Sequence, residues 1–189
     1  MGRWEPNARG RLAAAAMELY RERGFEQTTV AEIARRAGLT ERTFFRHFAD
    51  KREVLFDGAK SLQELFVHAV AEAPERVPPI EAMAAGLDAV GRRFVGHREF
   101  SRMRQDLIVA NAELQERELI KLASMAAALT HALRGRGLDE PAASLTAEAG
   151  VAVFKVGFER WIAAAEEREL PQLMRESLDE LKAVIAGGR

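Results

Sequence analysis

The stretch "TVAEIARRAGLTERTFFRHF", residues 29–48, decides the fold. Thr29 and Glu32 form a T-x-x-E capping box that opens a short helix. Ile33, Ala34 and Ala37 supply its inward face, and small Ala34 lets a neighbouring helix cross closely. Gly38 sits at the corner, where a positive φ is cheap only for glycine, and Leu39 plugs it. Thr40 caps a third short helix over 41–48, on which Phe44 and Phe48, four residues apart, face inward. Two helices crossing steeply around a short glycine turn make a helix-turn-helix.

That burial turns Thr40, Glu41, Arg42, Thr43, Phe45, Arg46 and His47 outward or to the leading end. A helix of this size fits the DNA major groove, whose base edges carry a distinct donor and acceptor code. Arginine can fork onto guanine. Threonine can donate to a phosphate or touch a thymine methyl, and His47 can donate to a phosphate. Lys51 starts the next helix, where a cation and free backbone N–H groups could both meet a phosphate. The same apolar spacing also suits a helical hairpin packed in a core, but the caps, corner glycine and outward basic set agree on DNA. Phe45 is the sharpest signal, with extra packing on the first helix as its alternative. Arg3, Arg9 and Arg11 could reach flanking backbone or minor groove, or form a solvated arm.

Outward from this corner the chain reads as all-α, with about nine helices and no alternation of the strand type. The first runs from Ala8 to Arg23 with Leu12, Ala16, Leu19 and Tyr20 inward. Asp50 and Glu53 open a long fourth helix to about residue 71. Five more are expected near 80–95, 98–110, 112–135, 141–167 and 171–186, bounded by prolines. Residues 1–52 form the helix-turn-helix domain, and 53–189 a helical ligand-binding and dimerisation domain. Charge follows the same division. The first 52 residues carry 11 Lys/Arg against 7 Asp/Glu, while the whole chain has net charge −1. A basic head on an acidic body points the head alone at a polyanion.

Other classes fall away. With no cysteine there is no disulfide framework, and a reducing cytoplasm suits the chain. The opening residues carry no apolar run of the secretory kind, and no stretch of about 18 apolar residues exists to span a membrane. Neither a nucleophile elbow, a phosphate-cradling glycine loop nor a serine–histidine–acid set appears, so an enzyme is not expected. His68, His97 and His131 lack zinc-ligand spacing, and neither a metal nor a cofactor is expected.

"TTVAEIARRAGLTERTFFRHFADKREVL" closely resembles the N-terminal module of TetR-type transcriptional regulators. The resemblance covers about 45 residues. It implies a three-helix DNA-binding head, a variable helical ligand-binding body and a homodimer on palindromic operator DNA. It further implies DNA contact at Thr29, Thr40, Thr43, Phe45, His47 and Lys51. The position of Phe45 is usually tyrosine in that family. Phenylalanine keeps the van der Waals contact and loses a phosphate hydrogen bond, which neighbouring Arg46 could supply.

The body offers two apolar stripes for dimerisation. One carries Phe154 and Trp161, the other Met174, Leu178, Leu181 and Ile185, and both could equally pack on their own chain. Gly150 and Gly157 thin the first for close approach. Phe66, Phe94, Phe100, Met103, Leu107, Met125, Leu129 and Phe158 are candidates to line an apolar effector pocket, although core packing explains each of them. "RMRQDLIVANAELQERELIKLA" with "FERW" is similar to ligand domains of TetR-type regulators of acyl-CoA-like molecules, mycofactocin-system regulators included. That similarity implies a small apolar effector, a fatty acyl-CoA, with arginines 92, 93, 98, 102 and 104 near the coenzyme A phosphates. The leading reading is a homodimeric repressor released by this effector. Its rival is a DNA-binding regulator or architectural protein that senses nothing.

Overall fold

The computed structural model describes residues 7–187. Ten helices and no strand occur among them: α1 (Ala8–Arg23), α2 (Val30–Arg36), α3 (Glu41–His47), α4 (Lys51–Leu55), α5 (Ala59–Ala71), α6 (Pro79–Arg92), α7 (Arg98–Val109), α8 (Ala112–Gly135), α9 (Ala142–Ala163) and α10 (Leu170–Ile185). The extra helix comes from a break in the expected long fourth one. Its first part ends at Leu55 with Phe56 as C-cap, and Gly58 takes φ +88°, a value that stops helix propagation and favours glycine. The chain forms two compact units. One holds the residues up to Gly58 together with Met103–Glu118, and the other holds Ala59–Arg102 with Leu119 onward. The division falls at 58 and again inside α7 and α8.

In the first unit, α1 packs on α2, α3 and α4. Leu12, Ala16, Leu19 and Tyr20 of α1, Ile33 and Ala34 of α2, and Phe44 and Phe48 are all buried. The Thr29–Glu32 capping box is complete, Thr40 Oγ accepts from the Thr43 N–H, and Asp50 accepts from the N–H groups of Arg52 and Glu53. Gly38 turns the corner at φ +66°.

In the second unit α6 packs against α5, α9 and α10. Close approach is built into the glycines. A Cβ at Gly86 would stand 2.5 Å from the Phe66 ring of α5, and one at Gly150 would run into Met83 Sδ of α6. Phe94, Phe154, Phe158 and Trp161 gather into one aromatic cluster, with neighbouring ring centroids 5.5–6.5 Å apart.

Candidate nucleic-acid interface

The outward side of α3 is open. Glu41, Arg42, Phe45 and Arg46 are exposed, as is the N-cap Thr40. Thr43 and His47 are partly exposed. Phe45 is 56% exposed, unusual for a phenylalanine. Its ring meets Phe44 edge-on at 5.5 Å, so the buried neighbour steadies the exposed one. His47 keeps its Nε2 buried and without a hydrogen-bond partner.

The arginines of residues 7–58 fall into two sets. Five of them are engaged within the unit. Arg9 pairs with Asp57 at 2.6 Å, donates to the His47 carbonyl and lies over the Phe48 ring. Arg11 donates to the Ala37 carbonyl at the end of α2. Arg23 pairs with Glu32, Arg36 with Glu18 and Glu22, and Arg52 with Asp50. Arg9 and Arg11 are thus not a free arm for DNA, and Arg3 lies outside the described residues. Arg42, Arg46, Arg21 and Arg35 are exposed and have neither a hydrogen bond nor an ion pair among the described residues. Sequence reading singled out the first two and passed over the others. No local spacing separates them from Arg23 and Arg36, whose acids lie 9, 14 and 18 residues away.

Ion pairing also tunes the acids. The Arg36 hydrogen bond holds the Glu22 carboxyl below its usual range. The Thr29 backbone N–H does the same for Glu32. Burial pushes the Asp50 carboxyl up, but the Arg52 bond and the Arg52 and Glu53 N–H groups outweigh it and keep it low. These carboxylates stay charged and keep their arginines occupied.

Two expected contacts look different in the structure. The Thr29 hydroxyl donates to Glu32 Oε2 at 2.9 Å and accepts from the Glu32 N–H, so it acts as a cap and has no proton left for phosphate. Lys51 does not extend outward. Its ammonium lies on the carbonyls of Phe25, Glu26 and Thr28.

In the second unit the candidate pocket residues divide. Phe66, Met125, Leu129 and Phe158 belong to one packed core, against which the partly buried Phe94 packs. Phe100 is half exposed, while Met103 and Leu107 belong to the first unit. Of the arginines expected near coenzyme A phosphates, Arg98 donates to the carbonyls of Trp161, Ala164 and Glu166. Arg102 donates twice to the Ile162 carbonyl, so both close the end of α9. Arg104 donates to the Leu55 carbonyl, pairs with Glu118 and lies over Phe56, and its burial lowers the guanidinium pKa. Arg92 pairs with Asp88, which leaves Arg93 alone without a partner among the described residues.

The dimer candidates divide by burial as well. Phe154, Trp161, Met174 and Leu178 are buried in their own chain, where they hold α9 and α10 to α6. Leu181 is partly buried, and Ile185 alone is fully outward, at 76% exposure. On these two helices the large apolar side chains left open are Leu145 and Val156 of α9, in line with exposed Ala152, and Val184 beside Ile185 of α10.

Comparison with known proteins agrees with this geometry. Residues 12–57 match the model of the bacterial regulatory proteins of the tetR family, and residues 77–186 match that of the MftR C-terminal domain. The transcriptional regulator TcmR of Streptomyces glaucescens is 39% identical over 82 residues, which is 43% of this chain and 36% of that protein. YerO of Bacillus subtilis, an uncharacterised regulator of the helix-turn-helix type, is 23% identical over 56% of this chain and 38% of its own length. The chain thus spans little more than a third of either relative. Thermus thermophilus FadR, a TetR-family repressor solved with lauroyl-CoA, aligns over 92% of this chain and 93% of its own, at 26% identity and TM-score 0.57. Bacillus subtilis FadR, solved with stearoyl-CoA, aligns over 91% and 96% at TM-score 0.60 with 20% identity, a likeness of fold. No helix among the described residues is long and apolar enough to cross a membrane. An open α3 on a capped helical head, with both family models matched in order, leads to one conclusion: the chain belongs to the tetR family of bacterial regulatory proteins.

Proposed function

We propose that the chain is a homodimeric repressor of the cytoplasm, released from a palindromic operator when a fatty acyl-CoA binds its body. Thr40, Glu41, Arg42, Thr43, Phe45, Arg46 and His47 form the reading surface, with Thr29 setting the pitch of α2 from just behind it. Arg42 and Arg46 carry this assignment, because their guanidinium groups are exposed and uncommitted where five other head arginines are not. Two heads on a symmetric dimer would read half-sites about one helical turn apart. The open apolar residues of α9 and α10, Leu145, Val156, Val184 and Ile185, are the proposed dimer seam.

The likeness to Thermus thermophilus FadR, bound to lauroyl-CoA in its structure, carries the effector class. The acyl tail would enter among Phe66, Phe94, Met125, Leu129 and Phe158, and Arg93 is the arginine free to meet a phosphate. Effector binding changes DNA affinity only by its differential affinity for two body states, typically about 1–3 kcal/mol of coupling. A second reading, a regulator without an effector, draws on the close packing of Phe66 on Gly86 and of Met83 on Gly150. On the first reading the tail must displace one of those side chains. The two separate in a gel shift on the duplex upstream of the chain's own gene, with and without lauroyl-CoA. Release at micromolar acyl-CoA supports the first reading, and an unmoved complex supports the second.

A further inference from the structure

The first 58 residues contain a single lysine, Lys51. Its Nζ lies 2.9 Å from the Phe25 carbonyl, 3.1 Å from that of Thr28 and 3.3 Å from that of Glu26. It also sits 4.3 Å from the centroid of the Phe25 ring. An ammonium has three N–H donors and no acceptor, so three carbonyls occupy it fully. The Lys51 carbonyl in turn accepts the Tyr20 hydroxyl at 2.7 Å, and the Tyr20 ring tilts onto Phe25 at 5.3 Å. The three carbonyls belong to the connection between α1 and α2, and Thr28 immediately precedes the N-cap of α2.

A phosphate contact at Lys51 would need two things this arrangement withholds. The ammonium would need a spare N–H. The leading N–H groups of α4 would need to be open, yet those of Arg52 and Glu53 are held by Asp50 Oδ1 at 2.8 and 3.1 Å. One carboxylate oxygen, Asp50 Oδ1, already accepts from both.

We propose that Lys51 is a positioning residue that does not touch DNA: it pins the α1–α2 connection to α4 and so fixes where the N-cap of α2 begins and how the helix-turn-helix is aimed. The site calls for lysine. Three carbonyls converging on one point suit a compact ammonium with rotatable donors, while the flat guanidinium fork spreads its donors in a plane.

The full chain carrying Lys51→Arg or Lys51→Met tests this by two readouts, the Tm of the free protein and the salt dependence of binding to a duplex selected from random DNA. A direct phosphate contact contributes about 0.9 to the slope of log K against log salt, and arginine would preserve it. We expect both variants to lower the Tm of the free protein by several degrees. Both should weaken the duplex about tenfold, since hydrogen bonds to a charged group are removed, and leave the slope unchanged. A wild-type Tm in Lys51→Met, or a slope altered in either variant, overturns the proposal. Should Lys51→Met fail to fold, nitrogen-resolved NMR of the unaltered chain decides. Slowly exchanging Lys51 ammonium protons that stay in place when the duplex is added support it, and a signal that moves with the duplex overturns it.

Discussion

Gly86→Ala is the sharpest test of how the body is closed. A methyl group there would stand 2.5 and 2.6 Å from Cδ2 and Cε2 of Phe66, and 2.7 Å from Cγ2 of Val70. Ordinary contact begins near 3.4 Å, so two fully buried side chains would each have to retreat by most of an ångström. Overpacking of this kind costs about 1–3 kcal/mol. Against it, alanine in mid-helix is about 1 kcal/mol better than glycine. With a rigid ring and a branched side chain both struck, the upper half of the first range applies, and the net loss is about 1–2 kcal/mol. For a chain of this length that lowers Tm by about 2–8 °C. Thermal unfolding followed by circular dichroism measures it. The cause is checked with Phe66→Leu, which removes the ring. Combined with Gly86→Ala it should recover part of the loss, a coupling of about 0.5–3 kcal/mol between touching residues. A Gly86→Ala chain as stable as the original, or strictly additive effects in the pair, would refute the packing argument. The same variant bears on sensing, because any tail that enters beside Phe66 must move the ring that Gly86 seats.

Arg42→Ala should relax sequence preference at one base pair of each half-site, by about 1–3 kcal/mol of discrimination, as read by selection from random duplexes. Val156→Asp combined with Ile185→Asp should give monomers by light scattering with the helical content of the parent, whereas Leu178→Asp should unfold the body, since Leu178 is buried in its own chain. Burial, and secondarily the Asp50 charge, raises the Tyr20 pKa above its ordinary 10.0. The unfolded chain therefore releases this proton first. The stability Tyr20 contributes is fully present below about pH 10 and is lost as pH rises beyond it. Urea titrations between pH 8 and about 11 should show a shallower decline in Tyr20→Phe than in the parent.

The head was legible in the sequence because its determinants are local. Thr29, Thr40 and Asp50 cap within three residues of themselves, Gly38 fixes its own φ, and Phe44 and Phe48 share a face through helical spacing. The break at Gly58 was missed since a glycine within a helix pattern is often tolerated. The roles of Arg98, Arg102 and Arg104 were out of reach for another reason. The carbonyls they cap lie between 49 and 68 residues away, and backbone carbonyls leave no mark on side-chain patterning. A dimer face is degenerate in the sequence. α9 is apolar on most sides, so spacing cannot say that Phe154 and Trp161 turn inward while Leu145 and Val156 remain open.

One habit of this chain reaches beyond its present sequence. Arg11 at the end of α2, Arg104 at α4, Arg136 at α5, and Arg98 with Arg102 at α9 each cover last-turn or adjoining carbonyls from a distant place in the chain. A helix stopped in this way takes its stopper from elsewhere, so the loop after it carries less of the burden of termination. Loop insertions and deletions after α5 and α9 should accordingly be tolerated while those arginines persist, which gives a lineage freedom to remodel its connections without unravelling its helices.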